Sequence, residues 1–204
     1  AVLERARDAV AALAGVTPEQ VVLTSGGAEA LALALHGSGM GRVLAGATEH
    51  MAVLGARDDI ERLPVGADGV LDLRALERAL RAGGPALVAV QQGNNETGVV
   101  QPVAEIAALV RAAGGRLLVD CVQSAGKLAL AGGDYLALSG HKMGGPMGAG
   151  ALVVAKNAPL RAQAGGQERG HRPGTPNLAG HAGWAAALAE PAADWAAVRR
   201  LRDW

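Results

Sequence analysis

The 204-residue chain has no phenylalanine, one tyrosine, one cysteine, and three lysines against sixteen arginines. A single thiol, Cys121, excludes an internal disulfide framework and any multi-cysteine metal site, and a reducing cytoplasm is the expected setting. No apolar run approaches the roughly 18 residues that a membrane-spanning helix requires, so no membrane span is expected. The first residues carry no signal-peptide pattern, and no secretory leader is expected. Basic and acidic residues both number 19, and the basic ones do not cluster. Neither nucleic acid nor a membrane surface is therefore an expected partner. What is abundant is Ala, Leu, Val and Gly, in a length suited to one large domain or two small ones. Ala1 already stands inside a helical pattern, and the chain is expected to begin within a longer protein.

Along the chain, strand-like and helix-like segments alternate. Val2, Ala6, Ala9, Val10 and Leu13 recur at helical spacing and stop at Gly15. After the turn Thr17-Pro18-Glu19 comes the strand Val21 to Leu23, then a break at Ser25-Gly26-Gly27 and a helix over Ala28 to His36. Arg42 to Ala45 reads as a strand, and Thr48-Glu49-His50 opens a helical segment ending near Ile60. Asp72 is a plausible N-cap for a helix over Leu73 to Arg81. The strand Ala86 to Val90 is continuously apolar, as expected of a strand buried on both faces. Pro102 suits the first turn of a helix over Val103 to Ala113. Leu117 to Val119, Tyr135 to Leu138 and Ala151 to Val154 complete the strands, and a helix over Ala179 to Ala189 ends at Pro191. This order predicts an α/β layered domain around a mostly parallel sheet of about seven strands.

In such sheets ligands sit at the carboxyl ends of the strands. The polar and glycine-rich tokens fall there: Ser25-Gly26-Gly27, Asn94-Asn95-Glu96, Asp120, and Ser139 to Lys142. Ser25-Gly26-Gly27-Ala28 leads into a helix amino terminus, which offers free N–H groups to an anion, although such a glycine pair also makes an ordinary tight turn. Lys142 stands beside His141 on a turn after an apolar strand, followed by Gly144, Gly145, Gly148 and Gly150. A lysine in a partly desolvated pocket forms a Schiff base with an aldehyde. Asp120, behind an apolar strand, needs a cation or several donors, a need that capping the next helix at Gln123 to Gly126 would also meet. Together Lys142 and Asp120 meet the demand of pyridoxal phosphate, an aldehyde-bound lysine and an acid opposite the ring nitrogen. His50 could stack on such a ring, and Asn95 and Gln123 could bond its phenolic oxygen. A lone histidine such as His50 is more often structural, and ordinary loop capping explains Asn95 and Gln123 equally well one at a time. His36, His171 and His181 have no metal-ligand spacing, and no metal is expected.

Six blocks then carry a resemblance: TSGGAEALALAL from Thr24, TEHMAVL from Thr48, NNETGVVQPV from Asn94, VDCVQSAGK from Val119, SGHKMGGPMGAGAL from Ser139 and GGQERGHRPGTPN from Gly165. In this order they resemble the cysteine desulfurases, within the class V, fold type I pyridoxal-phosphate enzymes. The resemblance implies the three-layer large domain of that fold over residues 1–183. Residues 184–204 are then a helix leading toward a further, C-terminal domain. It implies pyridoxal 5'-phosphate as cofactor, L-cysteine as substrate, a homodimer and a sulfur-acceptor protein, in cytoplasmic iron–sulfur cluster assembly. Lys142 matches the lysine that carries the cofactor, and His50 the ring-stacking histidine that handles protons. Asp120 matches the partner of the ring nitrogen, with Gln123 and Asn95 on the ring oxygen and substrate side. Gly27, Ala28, Ser139 and His141 match the phosphate site, and Thr175 the residue by which a second subunit reaches that phosphate.

Three departures accompany the resemblance. Ala28 stands where the family usually has threonine, so only backbone N–H serves there. Val122 occupies a position that is often smaller. The sulfur-accepting cysteine and the carboxylate-binding arginine are expected in the C-terminal domain beyond Trp204, and Cys121 is no substitute for that cysteine. Two alternatives stand beside a desulfurase: a truncated or degenerate protein of the same fold without that activity, and another class V aminotransferase or lyase.

Overall fold

The computed structural model describes residues 1–161, 166–190 and 193–203. Gly165, Pro191 and Trp204, used in the sequence reading, lie outside the described residues. The strands are β1 (Val21–Thr24), β2 (Val43–Gly46), β3 (Glu61–Leu63), β4 (Leu87–Gln91), β5 (Arg116–Asp120), β6 (Tyr135–Ser139) and β7 (Gly150–Val154). The helices are α1 (Val2–Ala14), α2 (Gly27–Gly37), α3 (Met51–Leu54), α4 (Leu73–Gly83), α5 (Val103–Ala112), α6 (Leu178–Ala189) and α7 (Trp195–Arg202).

The strands form one seven-stranded sheet in the order β1-β7-β6-β5-β4-β2-β3. β7 pairs antiparallel with both β1 and β6, while all other pairings are parallel. Six strands therefore run one way and β7 alone is reversed. The carboxyl ends of β1, β2, β4, β5 and β6 open on a single edge of the sheet, and that edge carries the site.

Period-two alternation divides the strand side chains between two cores. Val21, Leu23, Leu44, Val88, Val90, Val119 and Leu138 face a layer that includes α1, α4, α5 and α6. Val22, Val43, Ala45, Leu87, Ala89, Leu118 and Tyr135 face α2 and α3. The lack of phenylalanine is met by close approach: Ala30 and Ala34 of α2 are fully buried and let that helix lie low on the sheet. No helix among the described residues is long and apolar enough to cross a membrane.

Local signals explain several boundaries. Gly15 ends α1 in the left-handed conformation at φ 66°, where an L side chain is strained. Asp72 caps α4, its carboxylate accepting from the N–H groups of Arg74 and Ala75. Elsewhere the structure departs from the sequence reading. The helical segment expected from Thr48 to near Ile60 is a single turn, α3, stopped at Gly55. The chain then turns through an Arg57–Asp59 ion pair and returns as β3. This edge strand, missed in the sequence, is held by its ladder to β2 and by the Arg42–Glu61 pair at 2.6 Å. Residue 183, where the sequence reading divides the chain, lies inside α6, and Trp184 on that helix is fully buried in the α1-side core.

β1 is the other sheet edge, and charged side chains close it. Val21 O accepts from both Arg7 and Arg169, at 2.7 Å each, and the Leu23 N–H donates to Glu168 at 2.8 Å. Arg7 and Glu168 meet in a two-pronged pair at 2.7 and 3.0 Å. The pair sits deep, with side-chain exposures of 8% and 3%. It tethers a turn in which Glu168 and Arg169 both take positive φ, 52° and 56°, a strained conformation the ion pair offsets.

Candidate active site

Each residue of the site arrives at the shared sheet edge on a different connection. The turn after β1 leads into α2, whose first-turn N–H groups at Gly27 and Ala28 have no acceptor in the helix's own ladder. Space here is tight: a Cβ on Gly27 would overlap Val122 Cγ2 and approach Ser139 Cβ at 3.5 Å. Gly150 of β7 is pressed so closely on Gly26 that no Cβ fits between them.

Asp120 closes β5. It is 7% exposed, and its Oδ1 accepts from the Val122 N–H at 2.9 Å. Burial pushes its carboxyl above the ordinary carboxylate range, against the Val122 hydrogen bond and the charge of His50, which both favour the anion. His50 precedes α3, and its Nδ1 accepts from the Ala52 N–H at 3.0 Å, so Nε2 is the ring nitrogen not engaged by that cap. Ser139, at the end of β6, is buried and bonds His141 Nδ1 through its hydroxyl at 2.9 Å. Lys142 follows on the short helical turn Gly140–Lys142 and is exposed.

The glycines around Lys142 have a cause the sequence did not disclose. A Cβ at Gly140 or Gly145 would come within 3.0 and 2.9 Å of the Trp184 ring, so these two positions accommodate α6 rather than a ligand. Gly144 and Gly148 take φ of 78° and 80°, and the need there is conformational.

These side chains surround one cavity of about 290 Å³, lined by Gly27, Ala28, His50, Asn95, Asp120, Gln123, Ser139, His141 and Lys142, with Leu31, Ala52, Gly93 and Val122. Its size is at the lower end of ligand pockets, about 300–1,000 Å³. Nine of the ten residues singled out in the sequence thus share one space. The tenth, Thr175, is exposed on the loop before α6 and does not line the cavity.

The sequence reading overlooked the groups that hold these loops in place. The Thr48 carbonyl, two residues before His50, accepts from Gln91 Nε2 and, at 3.1 Å, from Asn94 Nδ2. Asn94 Oδ1 accepts from the N–H groups of Glu96 and Thr97 at 2.8 Å, so one buried amide ties the loop of His50 to that of Asn95. Gln92 does the same for Gln123's loop, accepting from Ser124 Oγ and donating to Ala129 O, both at 2.8 Å. The run Gln91-Gln92-Gly93-Asn94-Asn95 at the end of a buried strand was the available signal.

A family profile described as "Aminotransferase class-V" matches residues 1–195. The chain belongs to the class V aminotransferase family. Pyridoxal phosphate is the cofactor of this enzyme family, and the cavity fits it: a buried acid, a helix amino terminus for an anion and a lysine face one space. A "Cysteine desulfurase" of Frankia sp. (strain EuIK1) is 42% identical over 217 residues, covering 91% of this chain and 51% of that protein. A "Cysteine desulfurase IscS" of Anaeromyxobacter sp. (strain Fw109-5) is 42% identical over 226 residues, covering 98% and 56%. Among solved structures, a "NIFS-LIKE PROTEIN" superposes with a TM-score of 0.84 at 31% identity, over 99% of this chain and 59% of that one. "SspA in complex with cysteine" does so at 0.84 and 30%, over 99% and 65%. The chain spans about half the length of the curated relatives it matches.

For this class V chain, Cys121 is chemically quiet. It is fully buried, and burial together with the charge of Asp120 pushes its thiol up to about 12. In the native state iodoacetamide at pH 8 should leave it unmodified over hours, with full labelling after unfolding, read by intact mass. Rapid native labelling would show that the strand end opens. Among the described residues no group of three or more His, Cys, Asp or Glu side chains could hold a metal ion.

Proposed function

We propose that the chain is the cofactor-holding part of a cysteine desulfurase, acting on L-cysteine to leave alanine and a persulfide on a cysteine other than Cys121. The observation that carries this reading is the single cavity in which Lys142, Asp120, His50 and the start of α2 face one another. The relatives named cysteine desulfurase, and the structural neighbour solved in complex with cysteine, support L-cysteine as the substrate.

When bound, pyridoxal phosphate supplies an electron sink that stabilises negative charge at a substrate's α-carbon. The chain's own residues do the rest. The N–H groups of Gly27 and Ala28, with Ser139 and His141, hold the phosphate; a threonine hydroxyl contact is missing at Ala28. Asp120, as the carboxylate, keeps the ring nitrogen protonated. Lys142 Nζ is the amine that would hold the cofactor's aldehyde and the base that would carry the substrate's α-proton. His50 would cover the ring face and pass a proton through Nε2, while Asn95 and Gln123 would orient the ring oxygen and the substrate. A homodimer in the cytoplasm completes the proposal, with the Arg172 to Asn177 loop carrying Thr175 to the partner's phosphate site. Delivery of sulfur to an acceptor protein for iron–sulfur clusters belongs to the same reading, as does the division of the chain into a large domain and a helix leading out of it.

The test is spectroscopic. Purified chain incubated with pyridoxal phosphate should turn yellow and keep its colour through gel filtration, and L-cysteine, but not L-serine, should change the visible spectrum. Sulfide release should be absent, because Cys121 cannot serve as nucleophile. A colourless chain would favour a protein that keeps the fold without the activity, and a response to serine equal to that to cysteine would favour another class V reaction.

A further inference from the structure

Beside Asp120 lies a second carboxyl group that the chemistry above leaves unused. Glu49, between Thr48 and His50, is 6% exposed, and its Oε2 is buried with no hydrogen-bond partner among the described residues. The carboxyl accepts from the backbone of Gln91, and its Oε1 lies 3.0 Å from where a Cβ on Gly46 would stand. Gln91 and Asn94 hold the backbone just before it through the carbonyl of Thr48. The charged group acting on it is Asp120, on β5; His50, on its own loop, acts on Asp120 in turn. An ionised Glu49 would leave one buried oxygen bare, under the like charge of Asp120. Such a group stays protonated.

We propose that Glu49 is held as a neutral carboxylic acid and serves as a positioning residue for Asp120. By remaining un-ionised it leaves Asp120 as the one negative charge on the cavity floor, available to a protonated ring nitrogen. This role rests on the pyridoxal phosphate reading of the cavity, whereas the neutrality of Glu49 follows from its surroundings alone. Burial, then the charge of Asp120, pushes its carboxyl up to about 8, from an ordinary 4.5. The native state therefore binds a proton that the unfolded chain has lost. Stability from this group is complete below about pH 4.5 and is lost as pH rises through about 8. A cation set against Asp120 offsets its charge, so cofactor uptake should lower the Glu49 midpoint.

Infrared titration of the carboxylic-acid C=O stretch tests this on wild type, Glu49→Gln and Glu49→Met, the last two removing the titrating group with little change of volume. Cofactor-free wild type should show an acid band titrating near pH 8 that both variants lack, and only wild type should lose thermal stability between pH 5 and 9 through this group. Loading with pyridoxal phosphate should move the midpoint down by about half a unit or more. A pyridoxal phosphate analogue with carbon in place of the ring nitrogen should not. A midpoint in the ordinary carboxylate range, or a band that survives in both variants, overturns the neutrality. An unchanged midpoint in visibly loaded protein overturns the role toward Asp120. A chain that takes up no cofactor refutes the reading of the cavity and this role with it, while the cofactor-free titration still decides the state of Glu49.

Discussion

Lys142→Ala should abolish every trace of covalently held pyridoxal phosphate. After borohydride reduction the wild-type chain should gain the mass of one cofactor, and the variant none. The competitor is Lys127, the other lysine nearby. Burial and the charge of Lys142 hold its amine below the ordinary lysine range, which by itself favours nucleophilic attack. Its Nζ, however, donates to the carbonyls of Gln123 and Lys142 at 2.9 and 3.2 Å, and it does not line the cavity. Lys127→Ala should accordingly keep the adduct. Peptide mapping that found the reduced cofactor on Lys127 would reassign the reactive amine and with it the orientation of the ring. Non-covalent uptake should survive in Lys142→Ala, because Asp120 and the start of α2 are untouched.

Glu168→Ala should be the most damaging single change away from the cavity. It leaves the buried Arg7 guanidinium with only the Val21 carbonyl and the exposed Glu4 carboxylate at 3.2 Å, and removes the acceptor of the Leu23 N–H. Breaking a buried pair from one side costs about 3–5 kcal/mol. Denaturant unfolding monitored by circular dichroism should show that loss, and a change below about 1 kcal/mol would mean that water replaces the pair freely. Glu168→Gln should lose less, since the amide oxygen can still accept from Leu23. Burial raises the Glu168 carboxyl, but the hydrogen bonds from Arg7 and Leu23 outweigh it and the net shift is downward from 4.5. The stabilisation is therefore present above about pH 4.5 and is lost as pH falls through the lowered value. Wild type and Glu168→Gln should converge in stability toward acid pH.

Much of the fold was legible because its signals are local. Gly15 as a helix stop, Asp72 as a cap and the continuous apolar run of β4 each act within a few residues. The failures share a different cause. β3 has three residues, two of them exposed, and exists because β2 offers a ladder and Arg42 a partner for Glu61. The length of α3 is set by Gly55 and the pair beyond it, which helical periodicity does not report. The helix read over Ala179 to Ala189 is α6, Leu178–Ala189, and a separate helix, α7, follows with Asp194 capping it through the Ala197 N–H.

Residue type and position at strand ends were enough to nominate the chemistry of the site: a lysine, an acid and a histidine beside glycine-rich turns. Only the assembled sheet decided that nine of these residues share one cavity and that Thr175 stands apart. It alone showed that Gly140 and Gly145 make room for Trp184, and that one oxygen of Glu49 is buried without a partner among the described residues, within reach of the charge of Asp120. The physical reason is the range of the forces. Capping, turns and period-two burial act between neighbours in the chain, whereas charge coupling and close packing join residues tens of positions apart once strand order brings them together.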